Sequence, residues 1–163
     1  MMNILSAGDI FQFAIRIEEY GEIFYHKAAL NAVDEGVRKT FNRLADEEIK
    51  HKRVFQGLYE KTKDNRPAES YPGEYMANLR AFLDGKVIFT KDSQEKELAI
   101  IQDTISAIDF AIQRELDSIL YYQEAKQFVH ENQHKLIDEI INEERRHFTI
   151  LSDLKKSLAK EKG

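Results

Sequence analysis

The two prolines of this chain, Pro67 and Pro72, lie within six positions of each other, so the long stretches on either side contain none. Proline and glycine are the usual interruptions of regular structure, and the 163 residues include only seven glycines. Sandwiches and barrels of short strands need a turn signal about every 8–12 residues. The composition therefore favours a few long elements over a sheet of short strands.

Apolar residues on both sides of the proline segment recur at spacings of three and four, which is the period of an amphipathic helix. The pattern predicts four helices, at about residues 6–33, 34–62, 93–130 and 133–160. Ser93 is the predicted N-cap of the third helix, because acidic residues follow it in the first turn. Helices of this length suit an all-α bundle in which each helix spans the domain.

These helices are expected to pair into two hairpins within a single domain, residues 1–163. The first hairpin is predicted at about 6–62, a crossover with a short helix near 74–83 at about 63–93, and the second hairpin at about 94–160. About 12 extended residues already cover a helix of about 40 Å, so the crossover is long enough to return along the bundle. Helices two and three should therefore run parallel.

The composition argues against several classes of function. The chain has no cysteine, which excludes disulfides, thiolate nucleophiles and cysteine-ligated metal centres within it. The 24 basic and 29 acidic side chains are interleaved and give a net charge of −5, which offers no surface for nucleic acid. No apolar run approaches the roughly 18–20 residues of a membrane helix, and the N-terminus lacks a secretory signal pattern. We expect a cytoplasmic protein that binds neither nucleic acid nor membrane.

The two predicted hairpins repeat one design. The segments around Glu18 and Glu115 align at an offset of 97 residues. The segments Glu47–His51 and Glu143–His147 align at an offset of 96 residues. The matched residues include polar ones on the inner face, which two unrelated amphipathic helices would not be expected to share.

Each predicted helix places one glutamate in line with its apolar residues, namely Glu18, Glu48, Glu115 and Glu144. Buried carboxylates without partners are costly, so four of them in one core require positive charge. His51 and His147 follow two of these glutamates by three residues, and residues three apart project side by side from a helix. Two histidines cannot neutralise four carboxylates, whereas two metal cations can. The order Glu, Glu-x-x-His, Glu, Glu-x-x-His is the pattern of ferritin-like di-iron carboxylate bundles.

The predicted turns agree with one shared site. A helical hairpin brings two ligands to the same height only if its turn falls midway between them. The midpoint of the first pair of glutamates is residue 33, within the polar stretch 31–36. The midpoint of the second pair falls beside the polar stretch 130–134. Both hairpins can therefore close where a common site needs them to close.

On these residues the chain resembles the rubrerythrin-like proteins of the ferritin-like superfamily, over about residues 9–62 and 94–158. The pattern Glu-x-x-Gly/Ala-x-x-x-Tyr of that family is matched from Glu18 to Tyr25, and again from Glu115 to Tyr122 with a serine at the small-residue position. The Glu-x-x-His pattern of the family is matched once in each hairpin. The resemblance implies a ferritin-like four-helix bundle with a di-iron centre.

The resemblance also implies a metal-ligand role for six side chains: Glu18, Glu48, His51, Glu115, Glu144 and His147. The glutamates of the two Glu-x-x-His pairs would bridge the ions. Each remaining glutamate would complete the ligand set of one ion, together with the histidine of its own hairpin. Tyr25 and Tyr122 would donate hydrogen bonds to ligand carboxylates.

The chain departs from rubrerythrins at two points. Rubrerythrins carry a rubredoxin domain with four cysteines, whereas this chain has no cysteine. They also carry an extra glutamate three residues after the terminal ligand of the third helix, where this chain has Ser118. That extra carboxylate takes part in a redox-linked ligand exchange, so peroxidase activity by that route is not expected here.

Residues beside the six have open interpretations. Glu19, Glu47 and Glu143 stand about 100° around the helix from a neighbouring ligand, and are either solvated or interhelical partners. Gly21 and Ser118 are either close-packing residues or leave room for dioxygen or peroxide between the helices.

We interpret the chain as a non-haem di-iron carboxylate protein. Two metal ions per chain, with iron favoured over zinc or manganese, would reduce dioxygen or hydrogen peroxide with electrons from a separate donor protein. Two alternatives fit the same residues: a ferroxidase or iron-handling protein, and a non-catalytic bundle that holds zinc. The long helix faces are also compatible with a homodimer.

Overall fold

The computed structural model describes residues 7–62, 99 and 103–161. Four long helices lie in these ranges: α1 (Ala7–Asn31), α2 (Glu35–Thr62), α3 (Thr104–Ala125) and α4 (Glu131–Glu161). A 3₁₀ turn, Lys126–Phe128, follows α3, and the described residues contain no strand. Within these ranges, none of the helices has the length and hydrophobicity that crossing a bilayer requires. The all-α prediction is confirmed.

The helices form a bundle of two antiparallel hairpins, in which α1 packs mainly on α2 and α3 packs mainly on α4. Between the hairpins, Tyr121 in the last turns of α3 contacts Ile10 in the first turn of α1. Phe110, near the start of α3, contacts Phe24 in the second half of α1. Helices α1 and α3 are therefore antiparallel. Because α1 is also antiparallel to α2, helices α2 and α3 run parallel, as predicted.

The predicted bounds of α1, α2 and α4 agree with the structure to within two residues, but those of α3 do not. This helix begins at Thr104, not near Ser93, and it ends at Ala125, short of the predicted end near residue 130. Its N-cap is Asp103, whose side chain accepts a hydrogen bond from the backbone nitrogen of Ser106 at 2.9 Å. The hydroxyl of Ser106 accepts the reciprocal bond from the backbone nitrogen of Asp103 at 3.1 Å, which completes a capping box.

The apolar period and the acidic residues after Ser93 did not identify Asp103 as the N-cap. The reciprocal bonds at Asp103 decide the start of α3. The predicted crossover at 63–93, with its short helix near 74–83, lies outside the described residues.

The first hairpin closes within the predicted polar stretch 31–36, whereas the second closes at residues 126–130, because α4 already begins at Glu131 within the predicted stretch 130–134. Asp34 accepts a hydrogen bond from the backbone nitrogen of Val37 at 2.8 Å and so caps α2. In the second hairpin, the Gln133 side chain accepts a bond from the backbone nitrogen of His130 at 3.2 Å, and the Gln133 backbone nitrogen donates to the His130 carbonyl at 2.8 Å. These bonds satisfy backbone groups that the first turn of a helix leaves free.

Apolar side chains fill the bundle in two layers. The first layer contains Ile10, Phe11, Ala14, Ile17, Phe55, Leu58, Tyr121, Tyr122, Phe128, Ile137 and Ile141. The second layer contains Phe24, Tyr25, Ala28, Val37, Phe41, Leu44, Ile108, Ala111 and Leu151. Burial of each large apolar side chain contributes about 1.5–3 kcal/mol. On every helix the buried glutamate stands between residues of the two layers, so the apolar packing fixes the height of the polar residues.

Candidate metal centre

Six ionisable side chains lie buried between the two apolar layers: Glu18, Glu48, His51, Glu115, Glu144 and His147. None of them is more than 5% exposed. These are the six residues that the sequence analysis singled out as metal ligands, and the structure brings all six together from the four helices. Charged groups this deep in a core are costly unless they are paired or bind a cation.

The six residues form two groups that share two glutamates. One group consists of Glu18, Glu48, His51 and Glu144, and the other of Glu48, Glu115, Glu144 and His147. In each group, one ligand atom per residue lies within 4.8 Å of the others. Because Glu48 and Glu144 belong to both groups, each of them can offer a carboxylate to two neighbouring cations. This is the geometry of two adjacent sites with two shared carboxylates.

Glu144 lies between the two histidines. Its Oε1 is 2.8 Å from Nδ1 of His51, and its Oε2 is 3.2 Å from Nδ1 of His147. The two imidazole rings are stacked, with centroids 5.7 Å apart and planes inclined by 17°. Nδ1 of His147 also lies 3.4 Å from Oε1 of Glu48. In both histidines Nδ1 therefore faces the carboxylates of the centre.

The other ring nitrogen of each histidine is held from outside the six residues. Nε2 of His51 donates to Oε2 of Glu143 at 2.6 Å, and Nε2 of His147 donates to Oε2 of Glu47 at 2.6 Å. A carboxylate can only accept, so the hydrogen is on Nε2, and a neutral imidazole then presents the lone pair of Nδ1 to the centre. Of the two interpretations that the sequence left open for Glu47 and Glu143, the structure supports that of interhelical partners.

Two buried tyrosines donate to the glutamates that are not shared. The hydroxyl of Tyr25 donates to Oε1 of Glu115, and the hydroxyl of Tyr122 donates to Oε1 of Glu18. Burial, together with the nearby carboxylates, raises the pKa of both hydroxyls well above its usual value, so each keeps the hydrogen that it donates. Each bond joins one hairpin to the other.

Among the described residues, five buried side-chain atoms have no hydrogen-bond partner: Glu18 Oε2, Glu48 Oε1, His51 Nδ1, Glu144 Oε1 and His147 Nδ1. His51 Nδ1 and Glu144 Oε1 are 2.8 Å apart but do not form a hydrogen bond with each other. Buried polar atoms without partners cost about 1–3 kcal/mol each. All five belong to the two groups, and oxygen and imidazole nitrogen are ligands that first-row metals accept. The residues present therefore fit two metal ions.

Without metal, protons balance part of the negative charge. Burial and repulsion from Glu144 raise the pKa of Glu48, and they raise the pKa of Glu115 to about 8. Burial alone would lower the pKa of His51, but the carboxylates of Glu144 and Glu18 outweigh it and raise this pKa to about 12. Burial would raise the pKa of Glu144, but the two histidine rings beside it, His147 and His51, hold this pKa below its usual value. Glu144 therefore stays charged.

Gly21 leaves the space that Glu48 occupies. A Cβ atom added at Gly21 would lie 2.9 Å from Oε2 of Glu48, which is closer than real Cβ atoms approach other atoms, and 3.1 Å from its Cδ. Beside it is a small cavity, about 10 Å³ in volume, whose lining includes Glu115 and Ser118. A space of this size is at the lower limit for one water molecule. Close packing is therefore the interpretation of Gly21 that the structure supports.

The sequence pattern places the two histidines in the centre but does not show which residues hold their outer ring nitrogens. The signal was present as a repeated Glu-Glu-x-x-His, in which Glu47 and Glu143 directly precede the shared glutamates. The period of a helix turns such neighbours away from the site on their own helix. It does not show that each one reaches a histidine on the opposite hairpin.

Comparisons with known proteins agree with this geometry. A family model described as Rubrerythrin matches residues 9–155. The chain is similar to a solved structure from Thermotoga maritima, provisionally described as a ferritin-like diiron-carboxylate protein, with a TM-score of 0.71. The two chains are 28% identical, over 93% of this chain and 95% of that chain. The fold is also similar to that of a hypothetical protein from Pyrococcus furiosus, with a TM-score of 0.69. The two chains are 22% identical, over 98% of this chain and 94% of that chain. No curated protein matched the chain.

The family match spans all four helices and includes all six residues of the centre. The chain has no cysteine, so no rubredoxin domain is evident within it. With its ferritin-like bundle and its buried carboxylate and histidine cluster, the chain belongs to the Rubrerythrin family.

Proposed function

We propose that this protein is a non-haem di-iron carboxylate protein that reduces hydrogen peroxide or dioxygen with electrons from a separate partner. The observation that supports this most strongly is that two buried four-residue groups share Glu48 and Glu144. Two adjacent cations that share carboxylates suit a two-electron reduction, because each ion then changes its charge by only one.

The donor set supports iron. The two groups offer four carboxylates and two imidazoles. Carboxylate oxygens suit ferric iron, and imidazole is also a good ligand for ferrous iron. The chain offers no thiolate, which is a common ligand of structural zinc. Manganese and zinc can bind to oxygen and imidazole as well, so the metal has to be measured.

Two bound ferrous ions would supply the two electrons that convert hydrogen peroxide and two protons into two molecules of water. The residues of this chain would hold and shield the site. Glu48 and Glu144 would hold the two ions together, since both groups contain them. The hydroxyls of Tyr25 and Tyr122 would fix the carboxylates that are not shared. The two apolar layers would keep bulk water away from the site.

The two electrons must then be replaced from outside the site. The sequence contains no cysteine, so it holds no iron–sulfur or rubredoxin-type centre with cysteine ligands. We therefore include a separate electron donor in the proposal.

Stopped-flow spectroscopy tests the proposed function. Anaerobic ferrous protein is mixed with hydrogen peroxide or with dioxygen, and the expected result is a di-ferric absorption band that forms as the oxidant is consumed. Continued oxidation of many more ferrous ions than two per chain would favour a ferroxidase or iron-handling protein. Zinc in protein purified from iron-replete cells, with no consumption of either oxidant, would favour the non-catalytic bundle.

A further inference from the structure

The hydrogen bonds that hold the two histidines cross from one hairpin to the other. Nε2 of His147, on α4, donates to Oε2 of Glu47, on α2, at 2.6 Å. Nε2 of His51, on α2, donates to Oε2 of Glu143, on α4, also at 2.6 Å. Each accepting glutamate directly precedes a shared glutamate of the centre. The same hydrogen bond therefore occurs twice, once from α4 to α2 and once from α2 to α4.

Each accepting glutamate also faces an arginine of its own helix. Oε1 of Glu143 lies 3.2 Å from Nη2 of Arg146, and Oε1 of Glu47 lies 3.8 Å from Nε of Arg43. In both glutamates, one carboxylate oxygen accepts the hydrogen bond from the histidine and the other oxygen faces the arginine. Such exposed ion pairs add little stability, but they favour one orientation of the carboxylate.

The burial of the partners differs within each pair. The side chain of His147 is 0% exposed and that of Glu47 is 29% exposed, while His51 is 3% and Glu143 is 39% exposed. Each glutamate thus connects a fully buried ring to the surface of the bundle. Partners that hold the outer nitrogen of a metal-binding histidine fix its ring orientation, and their loss typically weakens metal binding about 10–100-fold.

We propose that Glu47 and Glu143 are positioning residues that act across the bundle, each on the metal ion of the opposite hairpin. Glu47 orients His147, and therefore acts on the ion held with Glu115. Glu143 orients His51, and therefore acts on the ion held with Glu18. This inference rests on the proposed two-metal function.

Removal of Glu47 should have an effect that its position in the sequence alone would not predict. Glu47 adjoins Glu48 and shares a helix with His51. A local effect of its removal would therefore fall on the ion held by His51, or on both ions through the shared Glu48. If Glu47 acts through its hydrogen bond, the effect falls on the ion held by His147, 100 residues away in sequence.

The test uses the whole metal-free chain titrated with Zn(II), and it requires no iron chemistry. The variant Glu47→Ala is compared with the unsubstituted protein, with Glu47→Gln, which keeps an accepting oxygen, and with Glu19→Ala, which removes an exposed glutamate beside Glu18. We expect two ions per chain throughout, with one of them bound about 10–100-fold more weakly in Glu47→Ala, partial recovery in Glu47→Gln and no change in Glu19→Ala.

Nuclear magnetic resonance of isotope-labelled histidine in the Zn(II)-loaded protein identifies the affected ion. Glu47→Ala should shift the ring signals of His147 and leave those of His51 in place, and Glu143→Ala should do the reverse. Equal weakening of both ions, weakening at His51 in Glu47→Ala, or no weakening in either variant would overturn the inference. If the unsubstituted protein fails to bind two ions, the proposed function itself fails and the inference fails with it.

Discussion

Tyr122 donates its hydroxyl hydrogen to Glu18, a residue 104 positions earlier in the chain and on the other hairpin. The corresponding pair in the other direction, Tyr25 and Glu115, makes the same bond. Neither bond can form within a single hairpin. The two hairpins must therefore dock before these glutamates are held, and the centre is a product of that docking.

Tyr122→Phe removes the donor to Glu18 and keeps the ring that packs against Phe55. We expect weaker metal binding, and a fall of about 1–3 kcal/mol in the free energy of unfolding of the metal-free protein, which is the usual cost of a buried polar atom without a partner. Metal titration and denaturant unfolding measure the two effects.

Tyr121→Phe is the matched control for Tyr122→Phe. The hydroxyl of Tyr121 is also buried, but it donates to the backbone carbonyl of Ile10 at 2.7 Å, outside the centre. We expect this variant to lose stability and to keep its metal affinity. Equal metal affinities for the two variants would contradict the role given to Tyr122.

Gly21→Ala should lower metal affinity without unfolding the protein. Alanine in a helix is normally about 0.5–1 kcal/mol more favourable than glycine. At this position, however, the new Cβ would lie 2.9 Å from Oε2 of Glu48, so the shared carboxylate has to move. In Gly57→Ala, the matched control on α2, the new Cβ meets nothing within 4 Å. Metal affinities measured by titration should fall only in Gly21→Ala, and unchanged affinity there would show that Glu48 can move freely.

Removal of metal should destabilise the protein. Metal ions bind to the folded state, and a ligand present at about 100 times its Kd adds about 2.7 kcal/mol to the free energy of unfolding. Thermal unfolding of the metal-free protein should therefore begin at a lower temperature, and the difference should grow with the concentration of free metal. Identical unfolding curves with and without iron, zinc or manganese would contradict the proposed centre.

The metal-free protein should also lose stability as the pH rises. Its folded state raises the pKa of Glu115 from 4.5 to about 8 and that of His51 from 6.5 to about 12. Between those limits the folded state binds more protons than the unfolded state, so the free energy of unfolding falls with increasing pH. Denaturant unfolding on either side of neutral pH measures this slope.

The metal-loaded protein should show the opposite trend, because metal ions displace the same protons and bind more tightly as the pH rises. A weakly buffered solution with an indicator dye should therefore record proton release when Zn(II) is added. Metal binding without proton release would contradict the assignment of His51 and Glu115 as groups that exchange protons for metal.

The sequence was sufficient to predict the bundle and the residues of its centre, because both depend on helical period. The six polar residues stand in line with apolar ones on four helices, and the turns fall midway between the glutamates. The parallel direction of α2 and α3 followed from the length of the connector, and the contacts between Tyr121 and Ile10 and between Phe110 and Phe24 confirm it.

The pairing between hairpins could not be predicted in the same way. Tyr25 stands seven residues after Glu18 on one helix, yet it donates to Glu115 on another. Such bonds depend on how the two hairpins are rotated against each other, which the period of a single helix does not determine. The predicted start of α3 was also wrong, because acidic residues after Ser93 are typical of a first helical turn, whereas the capping box is formed by Asp103 and Ser106.

The central claim is that two metal ions share Glu48 and Glu144. The most direct measurement is the number of ferrous ions that the metal-free protein binds under anaerobic conditions, compared with Glu144→Ala and with the exposed control Glu19→Ala. The account predicts two ions per chain in the unsubstituted protein and in Glu19→Ala, and loss of both tightly bound ions in Glu144→Ala. Two tightly bound ions in Glu144→Ala, or loss of iron only in Glu19→Ala, would contradict it.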